Sequence, residues 1–125
     1  MLEVAEASPT QKEREAVVAK AVVNAGTALG LTQKEIARAI GASEGQISKA
    51  KAGKATLTGK PYDLACYLIR VFRSLDAVTG GDGESTRQWM RHHNTDLGAA
   101  PALLIASPAG LVDVMNYLDA ARAPL

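Results

Sequence analysis

Two helix-start signals, Thr32-x-x-Glu35 and Ser43-x-x-Gln46, stand eleven residues apart with Gly41 between them. In such a capping box the hydroxyl accepts from a free amide of the first turn, and the acid or amide three residues on reaches back to the cap. Ile36, Ala37 and Ile40 supply a short apolar face before Gly41, and Ala42 lies in the tight turn that follows. Two short helices joined this closely must meet at a steep angle, the helix-turn-helix arrangement. Ala37 is small where such helices cross, Gly41 permits a left-handed turn, and Ile40 and Ile47 fill the space beneath.

The rest of the chain is punctuated for helices as well. Thr10 and Glu13 form a third box, and Val17, Val18, Ala21, Val22, Ala25 and Leu29 recur at helical spacing up to Gly30, with fraying expected at Gly26. A longer helix is predicted from Pro61 to about Thr79, burying Leu64, Leu68, Phe72 and Leu75. The three glycines of 79–84 mark the best hinge or linker, which divides the chain into 1–79 and 80–125. Beyond it, Ser85–His93 and Pro101–Ala106 are predicted helical. Ser107-Pro108 opens a last helix with Leu111, Val114, Met115 and Leu118 on one face. No alternation of the kind a strand requires is found, so the expected fold is all-α.

Composition narrows the function. With 125 residues, 14 Lys+Arg against 13 Asp+Glu and 47% hydrophobic residues, the chain fits one small folded domain or two very small ones, not a large enzyme or a polybasic tail. One cysteine excludes an internal disulfide or a cysteine-based zinc cluster, and a reducing cytoplasm is the expected compartment. Apolar runs are far shorter than the ~20 residues of a membrane span, and the amino terminus, with Glu3 and Glu6, predicts no signal peptide.

Charge is unevenly placed. Residues 31–60 hold six cations, Lys34, Arg38, Lys49, Lys51, Lys54 and Lys60, against Glu35 and Glu44, whereas residues 80–125 carry three cations and five anions. A local positive excess is what phosphate contacts require. In the second helix of the pair, Glu44, Gln46, Ser48 and Lys49 are free to enter a major groove, where Gln pairs with adenine and Lys reaches guanine. Thr32, Gln33, Ser43, Lys51 and Lys54 complete the expected DNA-contacting set. Gly45 costs that helix ~1 kcal/mol relative to Ala, so it either admits close backbone approach to a phosphate or marks a weakened reader.

Other features carry little chemistry. His92-His93 lacks a third ligand, Cys66 lacks a cation to lower its pKa, and the glycine run is followed by no Lys-Ser/Thr. No metal site or cofactor is expected, and a small enzyme is disfavoured.

The run Leu-Thr-Gln-x-Glu-Ile-Ala through Ile-Gly-x-Ser to Ile-Ser at 31–48 resembles the Xre type of helix-turn-helix. Trp89, Asn94, Leu97-Gly98, Pro101, Leu104, Gly110, Val114 and Leu118 resemble the C-terminal domain of the Xre/MbcA/ParS antitoxins. Ala99 departs from that pattern, standing where the family often has a second glycine. The resemblance implies a lambda-repressor-like helix-turn-helix domain followed by a small helical toxin-binding domain. It also implies a RES-domain toxin partner that degrades NAD⁺, with repression of the operon encoding both. The toxin-facing residues it implies are Trp89, Arg91, His92, His93, Asn94, Asn116, Asp119, Arg122 and Leu125; for Trp89 a core role competes. A homodimer or higher assembly is expected, because one short reader makes few base contacts, with the first helix as candidate contact. Two alternatives stay open: a protein inhibitor or adaptor whose helix-turn-helix leaves DNA alone, and a stand-alone repressor.

Overall fold

The computed structural model describes residues 10–123, and among them the secondary structure is seven helices with no strand. They are α1 (Gln11–Ala28), α2 (Gln33–Ile40), α3 (Glu44–Lys51), α4 (Gly59–Val78), α5 (Gly83–Arg91), α6 (Pro101–Leu104) and α7 (Pro108–Arg122). All three capping boxes form. Thr10, Thr32 and Ser43 each accept from the amide three residues on, and Glu13, Glu35 and Gln46 each return a bond to the cap's own amide. Helices of eight residues are marginal alone. What holds α2 and α3 is burial of Ile36, Ile40 and Ile47, each worth ~1.5–3 kcal/mol.

The turn between α2 and α3 uses Gly41 at φ 72°, with the Ala42 amide donating to the Ala37 carbonyl at 2.9 Å. A close helix approach involves Gly26, while Ala37 is buried as expected of a small residue at the crossing. A Cβ on Gly26 would stand 2.5 Å from both Cγ1 and Cδ1 of Ile36, so α1 and α2 meet across a bare backbone. Gly26 is accordingly buried inside α1 and does not fray. Val17, counted with the apolar face of the first helix, is instead 66% exposed.

Several boundaries shift by local chemistry. α4 begins at Gly59, two residues before Pro61, which sits within the first turn where a missing N–H costs little. α5 begins at Gly83 because Asp82 caps it, accepting from the Glu84 amide at 3.2 Å and from the Ser85 hydroxyl at 2.8 Å. It ends at Arg91, leaving His92 and His93 beyond the helix, and α6 stops at Leu104. α7 starts as the sequence indicates, with Ser107 capping and Pro108 first.

The glycine segment is a hydrogen-bonded turn rather than a loose linker. Gly80 and Gly81 adopt φ 65° and 83°, and the Gly81 amide donates to the Asp76 carbonyl at 2.9 Å. Across this turn the hydroxyls of Thr79 and buried Thr86 bond at 2.9 Å. The helix α4 packs against α1, α2, α5 and α7. One continuous core therefore joins Val22, Ile36, Ile47, Leu68 and Leu75 to Met90, Ile105, Leu111 and Leu118.

Candidate functional site

In α3 only Ile47 and Ala50 are buried, so the helix rests on one face and offers the other to solvent. Glu44, Gly45, Gln46, Ser48, Lys49 and Lys51 are all exposed, as are Thr32, Ser43 and Lys54; Gln33 is half-buried. The C-terminal end of α3 is tethered to α1 by the Lys20 ammonium, which donates to the Lys51 carbonyl at 2.8 Å. The helix is thus a seated rod with an outward polar face, which is the arrangement a groove-reading helix needs.

Gln46 is outward but not idle. Its Oε1 accepts from the Ser43 amide at 2.9 Å, completing the capping box, which leaves one lone pair of Oε1 and the NH₂ free. Bidentate pairing with adenine uses both amide atoms, so Gln46 makes it either through that second lone pair, in the orientation the cap bond sets, or by releasing the cap. Among the described residues nothing requires glycine at 45. A Cβ there would meet only the Ser43 Oγ at 3.8 Å, and Gly45 carries no positive φ.

The described toxin-facing candidates separate into four groups: Arg91; Trp89 with Asn94; the exposed His92, His93 and Asn116; and Asp119 with Arg122. Arg91 turns back into the chain. Its Nη1 lies 2.6 Å from Glu35 Oε2, and its Nη2 donates to Glu35 Oε1 at 2.7 Å and to the Gly30 carbonyl at 2.6 Å. The Arg91 bonds draw the Glu35 carboxyl from 4.5 to about 2, against the opposing effect of burial, with the Thr32 amide adding to the fall. One carboxylate therefore caps α2 and fastens α5 to it.

Trp89 is half-buried, packs on the core and stacks on Tyr117 with ring centroids 6.3 Å apart. The Tyr117 hydroxyl in turn donates to Asp96 at 2.8 Å. Asn94 shapes the following turn: its Oδ1 accepts from the Leu97 amide at 3.0 Å, and its backbone pairs with Ala99. Gly98, at φ 85°, supplies the left-handed residue, and Ala99 has no positive φ, so no second glycine is required there. His92, His93 and Asn116 are exposed.

Asp119 and Arg122 meet on α4. Asp119 forms an ion pair with Arg70 at 2.8 Å and accepts from the hydroxyl of fully buried Ser74 at 3.0 Å; Arg122 donates to the same Ser74 oxygen at 3.2 Å. Leu125 lies outside the described residues. Sequence reading missed Arg70, Arg73 and Ser74 here. The available signal was Arg70 and Arg73 three residues apart, on the side of α4 away from its apolar stripe.

Two family models match the chain. Residues 8–70 match the antitoxin Xre-like helix-turn-helix domain, and 74–123 match the antitoxin Xre/MbcA/ParS C-terminal toxin-binding domain. The chain belongs to this antitoxin family. A search of curated proteins returned no match. The helix-turn-helix of the antitoxin is α2–α3, seated on α1, and its toxin-binding match takes in the end of α4 together with α5, α6 and α7. Burial pushes the Cys66 thiol of the antitoxin up, with Asp63 adding to the rise, as befits a structural thiol rather than a nucleophile. Among the described residues no helix is long and apolar enough to cross a membrane, and no group of three or more His, Cys, Asp or Glu could hold a metal ion.

Proposed function

We propose that the antitoxin represses its own operon by laying α3 in the major groove of operator DNA, and neutralises a RES-domain, NAD⁺-degrading toxin by covering its active-site cleft. The observation that carries the first half is the exposed row Glu44, Ser48 and Lys49, held out from a helix whose Ile47 and Ala50 are buried. The match of 74–123 to a toxin-binding domain supports the second half. Residues 1–79 and 80–125 then divide the labour by function while sharing one core. Thr32, Gln33, Ser43, Glu44, Gln46, Ser48, Lys49, Lys51 and Lys54 face DNA, and Lys51 and Lys54 hold phosphates. Trp89, His92, His93, Asn94, Asn116, Asp119, Arg122 and Leu125 face the toxin, whereas Arg91 serves as an internal fastener. A homodimer matching a palindromic site doubles the base contacts, and the exposed Val17 of α1 suits such a contact. The cytoplasm, where operator and toxin are both found, is the place of action.

Binding to a promoter fragment across a salt series tests the DNA half. Affinity should fall steeply with rising salt, and Lys49→Ala should weaken it by ~1–3 kcal/mol if Lys49 contacts a base. Co-expression with the neighbouring gene tests the other half: that gene alone should stop growth and deplete NAD⁺, and this chain should relieve both. A second reading, an inhibitor whose helix-turn-helix leaves DNA alone, is favoured by the cap bond from Ser43, which limits how the Gln46 amide can turn toward a base. It predicts no salt-sensitive promoter binding at all.

A further inference from the structure

Between α4 and α7 runs an open groove of about 670 Å³ lined by Cys66, Ile69, Arg70, Arg73, Asp119 and Arg122. Three guanidiniums meet one carboxylate there, and that carboxylate is already engaged. Arg70 holds both oxygens of Asp119, through Nη2 at 2.8 Å and Nε at 3.2 Å. Buried Ser74 donates to Asp119 and accepts from Arg122, which fixes Arg122 relative to α4. Among the described residues, Arg73 has no bonded acceptor. The groove therefore presents two positive charges that no acid of its own lining balances, with Ile69 and Cys66 also lining it.

Small-ligand sites bury ~70–90% of their ligand, and an open trench does not. A protein segment, by contrast, closes the trench with its own surface. Planar guanidinium forks favour carboxylates, which they grip in pairs of parallel bonds. Ser74, Asp119 and Arg122 fall within the residues matching a toxin-binding domain, and Arg73 stands immediately before its start on the same helix. The helix read as DNA-facing, α3, packs on α1 and α2, whereas the walls of the groove are α4 and α7.

We infer that the α4–α7 groove docks an acidic segment of the toxin, with Arg73 and Arg122 receiving its carboxylates. This rests on the reading of 74–123 as the toxin-facing portion.

The test compares the full-length chain with Arg73→Glu and Arg73→Lys. Arg73 is exposed, so neither variant should change the melting temperature. Toxin binding is titrated calorimetrically at about 50 and 300 mM salt, with operator binding and sedimentation measured in parallel. Arg73→Glu should lower toxin affinity ~10-fold or more at low salt, through like-charge repulsion, and flatten its salt dependence. Arg73→Lys should lose less, and operator affinity and self-association should stay unchanged. Equal toxin affinity in Arg73→Glu and wild type overturns the groove assignment alone. A loss confined to operator binding gives the groove to DNA, and a loss confined to self-association gives it to a second copy; either overturns the proposal. A wild-type chain that binds no toxin overturns the functional reading together with it.

Discussion

Removing the Arg91 guanidinium should reveal how much the fastener between α5 and α2 contributes. Taken at face value, a Glu35 carboxyl lowered from 4.5 to about 2 would correspond to ~3 kcal/mol. The side chains of Arg91 and Glu35 are 44% and 29% exposed, so solvent screening reduces this to ~1 kcal/mol. Arg91→Met also loses the bond to the Gly30 carbonyl, which brings its expected cost to ~1.5–2 kcal/mol. Glu35→Gln separates charge from cap, because Gln46 already performs the same capping role in α3. It should cost ~1 kcal/mol, and the double variant little more than Arg91→Met. The folded pKa of Glu35 lies below its unfolded value. Its contribution is therefore complete above about pH 4.5 and lost as pH falls through about 2. Urea unfolding of the four proteins at several pH values, with carboxyl NMR titration of Glu35, measures all of this. The stability gap between wild type and Arg91→Met should shrink across that acid window, and the Glu35 midpoint should rise in the variant. A gap undiminished at pH 2, or a Glu35 midpoint unmoved by Arg91→Met, would refute the reasoning; only the part due to the Gly30 carbonyl bond should remain there.

Two further substitutions probe glycines with opposite roles. Gly110→Ala places a Cβ well inside contact with the Leu104 carbonyl, so the α6–α7 corner must move; a loss of ~3 kcal/mol or more, or failure to fold, is expected in thermal melts. Gly45→Ala meets only the Ser43 Oγ, at the ordinary contact distance of 3.8 Å, and should stabilise the chain by up to ~1 kcal/mol. If the bare backbone at 45 approaches a DNA phosphate, the same variant should weaken operator binding in a fluorescence anisotropy titration. Unchanged affinity would identify Gly45 as a tolerated weakness of the reader.

What could be read from the sequence was what local chemistry decides. Capping boxes announce α1, α2 and α3 because donor and acceptor lie three residues apart, and Ser107-Pro108 announces α7 for the same reason. The outward set on α3 follows from the burial of Ile47 and Ala50. Long-range partners were not legible. Arg91 and Glu35 lie 56 positions apart, and Asp119 finds Arg70 across 49, so no periodicity could pair them. The glycine segment misled for a different reason. Gly80 and Gly81 signal positive φ, which serves a tight helix terminus as readily as a hinge, and only packing of α4 against α7 tells the two apart.

The position of α4 as a common wall has a consequence for how such a protein diversifies. Because Leu68 and Leu75 belong to a core that both halves complete, cutting at the glycine turn and joining the rear half of one relative to the front of another would set α7 on a foreign surface. Chimeras should keep α4 with α7, and new partner preferences should arise through residue changes on outer faces rather than by exchange of whole modules.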